Sequence, residues 1–138
     1  MPTRYQQLRQ AIANLAAPAK EQASYLEQLH APLTGGGSGA GYGNDELALE
    51  FGEIYCAVGD MHDYGEIRQA EIDAARPLDE MLDKWSGQQN ADFWARGALF
   101  ADHRWEELRE CARRVLAAFP DEERQSEWTT EHSGWARD

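Results

Sequence analysis

Asn44-Asp45-Glu46-Leu47-Ala48-Leu49-Glu50-Phe51-Gly52-Glu53-Ile54-Tyr55-Cys56-Ala57-Val58-Gly59 reads as one helix packed on most of its sides. Leu47, Phe51, Ile54 and Val58 fall at i, i+4, i+7 and i+11, the spacing of a single helical face. Leu49, Tyr55 and Cys56 add a second apolar line. One narrow polar stripe remains: Glu46, Glu50, Glu53 and, past Ala57, Asp60. Asn44 is placed as the N-cap, with Asp45 and Glu46 in the first turn, where carboxylates suit the helix dipole. Gly59 is placed as the stop. The apolar spacing has no period of two, so a half-buried strand does not fit.

The same period runs through the flanks. Thr3-x-x-Gln6 matches a capping box, followed by Tyr5, Leu8, Ile12 and Leu15 on one face. Pro18 separates this helix from a second stripe, Ala19, Ala23, Leu26 and then Leu29 or His30, which Pro32 is expected to end. Gly65 weakens any helix that starts at Asp60, so a turn near Tyr64-Gly65 fits equally well, and Ile67, Ala70 and Ala74 lie on one face. Pro77 starts or kinks the next helix, carrying Leu78, Met81, Leu82 and Trp85. Asn90 is placed as the cap of a short helix with Phe93 and Trp94 inward, where Gly97 allows a close crossing. Asp102 caps the last strong helix, with Trp105, Leu108, Ala112, Val115 and Phe119 on one face. The expectation is an all-α compact bundle of about five to seven helices, with no sheet.

Residues 1–120 read as one helical domain with a glycine-rich loop at 34–43. Residues 121–138 read as a polar tail, able to dock by Trp128 and Trp135. The loop offers no phosphate cradle, because it lacks a Gly-Lys-Ser/Thr ending, a G-x-G-x-x-G register and a preceding strand.

A chain of 138 residues with 42% apolar and 28% charged residues has room for one real core. Five Trp, five Tyr and four Phe argue against disorder. The apolar run Ala98–Ala101 is far too short to span a bilayer, and the first residues lack the apolar core of a signal peptide. A cytoplasmic protein is expected. Cys56 and Cys111 are too few for a disulfide framework and read as small buried apolar groups.

Charge is distributed unevenly. Of the net −12, residues 44–83 carry −10, residues 1–43 carry +1 and residues 84–138 carry −3. A field of one sign favours a basic partner and repels nucleic acid and anionic membrane. The same excess also serves solubility. Arg104, Arg109, Arg113 and Arg114 alternate with Glu106, Glu107 and Glu110, a pattern read as a salt-bridged helix face rather than a nucleic-acid footprint.

The group closest to chemistry is Asp60-Met61-His62-Asp63-Tyr64, in which Asp60, His62 and Asp63 offer oxygen and nitrogen ligands to a divalent metal. The bland reading of the same residues is a cap, a turn and an exposed histidine, and neither a cofactor nor a metal is assigned. Glu27-x-x-His30 has no second Glu-x-x-His to complete a di-iron set. No serine has the context of an activated nucleophile.

Small size, helical fold and a concentrated acidic stretch resemble the acidic helical immunity proteins of bacterial toxin systems. The resemblance implies a protein that binds a basic toxin or nuclease domain and blocks it. Candidate contacts are Glu46, Glu50, Glu53, Asp60 and Asp63, with Tyr64 as aromatic anchor. The alternatives are a metal-dependent hydrolase using Asp60, His62 and Asp63, and a regulatory or scaffold helical module.

Overall fold

The computed structural model describes residues 3–34 and 44–122. The glycine-rich stretch with Tyr42, and the tail with Trp128, Glu131, His132 and Trp135, lie outside the described residues, as does the side chain of His30. Seven α-helices and no strand are present among the described residues: α1 (Arg4–Ala16), α2 (Ala19–Thr34), α3 (Asp45–Tyr55), α4 (Val58–Asp63), α5 (Gln69–Lys84), α6 (Ala98–Ala101) and α7 (His103–Ala117). The all-α expectation holds. None of these helices is long and apolar enough to cross a membrane.

Helix α1 starts where its capping box predicts. The Thr3 hydroxyl accepts from the Gln6 amide, and the Gln6 side chain accepts from the Thr3 amide. Its inner face, Tyr5, Leu8, Ile12 and Leu15, is fully buried. Each such aliphatic side chain stabilises the fold by about 1.5–3 kcal/mol. Helix α7 answers with Trp105, Leu108, Ala112 and Val115. These two helices form the most extensive packing pair. They run antiparallel, since Tyr5 at the start of α1 stacks on Phe119 just beyond α7, with ring centroids 5.8 Å apart. The Tyr5 hydroxyl donates to the Pro120 carbonyl at 2.6 Å.

Helix α3 lies against α1, and α5 lies against α7. Both neighbours are again antiparallel. Arg4 at the start of α1 reaches Asp60 beyond α3 while Asn14 near its end reaches Glu50 in mid-α3, and Arg68 before α5 pairs with Glu122 beyond α7. The order across the bundle is α3, α1, α7, α5. One hydrophobic cluster joins all four helices.

Several local expectations are corrected by tertiary contacts. Pro77 does not start a helix but sits inside α5. A proline there costs about 3 kcal/mol, offset by the continuous inner stripe Ile72, Ala75, Leu78 and Leu82. That stripe replaces the expected Ala70 and Ala74 face. Helix α2 continues through Pro32 to Thr34. The turn at Gly65 is present, with φ of +73°. Gly59 does not close α3, which ends at Tyr55, and Cys56 is consequently exposed rather than buried.

The helix expected from Asn90 is a 3-10 turn (Gln88–Asn90) followed by turns that lead into α6. Its carbonyls are engaged elsewhere. Phe93 O accepts from the Trp105 indole at 2.7 Å, and Ala95 O accepts from the Asn44 side chain at 2.7 Å. A Cβ on Gly97 would meet nothing within 4 Å, so no close crossing occurs there.

The arginine face of α7 is also corrected. Arg109 is buried, donating to Gln22 at 2.9 Å and to the Leu99 carbonyl. Arg113 donates to Ala16 O at 3.1 Å, at the end of α1. These guanidiniums satisfy carbonyls near helix ends. Arg104 pairs with Asp92 and Asp102, and Arg114 pairs loosely with Glu110 at 4.0 Å.

Glu66 is 2% exposed and accepts from Arg4 Nε at 2.9 Å and from Arg4 Nη2. This pair ties the start of α1 to the α4–α5 connection. Arg4→Ala strands the buried carboxylate and should cost about 3–5 kcal/mol. Glu66→Gln leaves Arg4 free to reach solvent and should cost only about 1–2 kcal/mol. Urea unfolding of the two variants measures the asymmetry.

Candidate functional site

The acidic line expected on one helix is divided between two. Glu46, Glu50 and Glu53 lie on α3, Asp60 and Asp63 on α4, and Tyr64 forms the C-cap of α4. The break comes at Cys56-Ala57, where the chain turns to bury Met61. Two of these acids are engaged by other side chains. Glu50 accepts from the Tyr25 hydroxyl and, at 3.4 Å, from Asn14. Asp60 pairs with Arg4 at 2.9 Å. Glu53 and Asp63 are exposed, while Glu46 and Tyr64 are half-buried.

His62 is exposed on α4 beside Asp63. No group of three His, Cys, Asp or Glu side chains among the described residues is arranged to hold a metal, so Asp60, His62 and Asp63 do not converge. Burial raises the pKa of the Cys111 thiol against the opposing charge of Arg114, which leaves it a poor nucleophile.

The packing order creates a feature that the acidic line does not reveal. Helices α3 and α5 flank the α1–α7 pair without packing closely on each other. Near one end they are joined by the Tyr55 hydroxyl, which donates to Ile72 O at 3.1 Å. Toward the other end lies an open groove of about 880 Å³. Ala48, Leu49 and Gly52 of α3 form one wall, Leu82 of α5 the other, and Ala91 and Trp94 contribute to the lining. Leu49 is 50% exposed, unusual for a large apolar side chain beside other apolar groups.

Asn44 sets the position of that wall. Its side chain is fully buried and makes no N-cap bond. Its Nδ2 donates to Phe93 O at 3.3 Å and Ala95 O at 2.7 Å instead. The start of α3 is thereby fastened to the segment that carries Trp94. Trp94 is fixed in turn, its indole donating to Trp85 O at 2.9 Å and its ring set edge-on to Phe93.

Carboxylates border the groove along α3. Asp45 and Glu53 line it from α3. On α5, Asp79 lies one turn before Leu82 and Asp83 directly after it. Burial raises the pKa of Glu46, reinforced by Asp45, Glu50 and Glu53. Burial likewise raises that of Asp79, reinforced by Asp83 and Glu80. None of Asp45, Glu46, Glu53, Asp79, Glu80 and Asp83 makes an ion pair with a described residue.

A second hollow, of about 570 Å³, lies between α1, α2 and α3 and is lined mainly by amides and by Tyr25, Glu50 and Glu53. Burial and the Glu50 carboxylate hold the Tyr25 hydroxyl protonated well above its ordinary range. Tyr25 therefore acts as a fixed donor, not as an acid–base group.

The sequence reading missed the groove residues Leu82, Ala91, Trp94 and Gly52. Two signals were available: Leu49 exceeds what one buried face needs, and Gly52 weakens the middle of a helix without serving a turn. No protein-family model, curated protein or solved structure matches this chain.

Asn44→Ala removes two donors from buried carbonyls and should cost about 1–3 kcal/mol by urea unfolding. Asp79 gives a pH test. Its folded pKa is raised, so its charge destabilises the fold above that pKa and has no such effect once it is protonated. Asp79→Asn should raise Tm at pH 7, and the gain should vanish as pH falls through about 4. Thermal unfolding across that range checks both statements.

Proposed function

We propose that the protein is a small acidic helical binding module of the cytoplasm that captures a basic protein partner and inhibits it. The observation that supports this reading is the set of mutually repelling carboxylates on α3 and α5 that no described cation neutralises. Such repulsion destabilises the free protein, and a cationic surface relieves it. The module would work as the acidic immunity proteins it resembles do, covering a basic toxin or nuclease domain. Nuclease domains are basic because their substrate is a polyanion, so a carboxylate surface presents them with the same sign of charge. Electrostatic steering would make the encounter fast.

The contact set differs from the acidic line first expected. Glu50 and Asp60 are already engaged by Tyr25 and Arg4. Asp45, Glu53 and Glu80 are exposed, and their reversal spares the core. Partner capture from the native cell, with elution by salt, identifies the protein to test. Raising salt from about 20 to 200 mM should slow association about tenfold. Asp45→Lys/Glu53→Lys/Glu80→Lys should slow it by a similar factor with Tm nearly unchanged. One equivalent of the module should abolish the partner's activity. Salt-independent association, or full activity in the complex, would overturn the inhibitor reading, and the second result would make the module a scaffold.

A further inference from the structure

Resting on the reading of a basic partner, we infer that the groove between α3 and α5 receives the apolar stripe of a basic amphipathic helix. Steering alone needs no concavity, yet the carboxylates border one that is apolar inside. Ala48, Leu49, Leu82, Ala91 and Trp94 offer anchors an apolar surface, while Asp45 and Glu53 on the α3 side stand where flanking lysines or arginines would lie.

The shape selects a helix. The α3 wall runs from Asp45 to Glu53, about 12 Å at 1.5 Å per residue. That length matches two turns of a docked helix with anchors at i, i+3 or i+4, and i+7. The described residues present no strand edge for an extended peptide to join. Nucleic acid and anionic lipid are repelled by the same carboxylates.

Gly52 gives the groove its depth. An added Cβ would meet nothing within 4 Å, so no packing demand accounts for a glycine there. Alanine in place of a mid-helix glycine stabilises a helix. The missing side chain leaves room for an anchor between Leu49 and Leu82.

The test uses two short synthetic helices of equal positive charge. One carries leucines at i, i+3, i+4 and i+7, and the other carries glutamines in their place. At low salt the leucine peptide should bind the full chain about tenfold more tightly than the glutamine peptide. Gly52→Leu fills the groove and should erase that difference while leaving Tm equal or higher. Leu49→Gln, at an exposed position, should reduce it independently. Equal affinities for the two peptides, or a difference that survives Gly52→Leu, would overturn the groove assignment and leave the acidic-module reading standing. Failure of both peptides to bind overturns both. A dimer that Gly52→Leu dissociates would assign the groove to a second copy. A rise in peptide affinity in Trp128→Ala/Trp135→Ala would assign it to the chain's own C-terminal segment. Either result overturns the inference.

Discussion

Along the antiparallel contact between α1 and α7, Tyr5, Leu8, Ile12 and Leu15 share one core with Trp105, Leu108, Ala112, Val115 and Phe119. Helix α3 rests on the outer flank of α1, and α5 on the outer flank of α7. Because each outer helix is held by a different partner, neither is drawn onto the other. A seam that already fills the centre leaves the outer pair apart, and the groove is the space that remains.

The same arrangement explains the electrostatics. Arg109 and Arg113 donate to carbonyls of Leu99 and Ala16, Arg9 donates to Phe119 O at 2.9 Å, and Arg4 holds Glu66 and Asp60. These cations are directed inward or along the seams, where orphan carbonyls and one buried carboxylate require donors. They are therefore not available to the carboxylates of α3 and α5. The surface is more acidic in effect than an even mixing of charges would make it. Side chains of opposite sign close together in sequence, such as Arg109 and Glu106, do not always form a close ion pair.

Much of the fold was legible from periodicity. The capping box at Thr3, the Asp102 cap, the turn at Gly65 and the inner faces of α1 and α7 follow from local chemistry that tertiary contacts reinforce. The misreadings share a cause. Asn44 looked like a cap, but its amide was taken by carbonyls 49 and 51 residues away. The segment around Phe93 looked helical, but its acceptors were bound by Asn44 and Trp105. Gly59 looked like a stop, but the chain turned earlier to bury Met61. At each of these positions a long-range contact outweighed a local preference of about 1 kcal/mol.

The carboxylates of residues 44–83 divide into distinct roles. Composition and helical period by themselves determined the helical class, the inner faces and the sign of the field, because these depend on residue type and spacing along one element. Only the tertiary structure decided which carboxylates are engaged and which are left outward, and that α3 and α5 stand apart around Leu49, Gly52, Leu82 and Trp94. Those outcomes depend on which helices share a flank, and no spacing within a single helix encodes that.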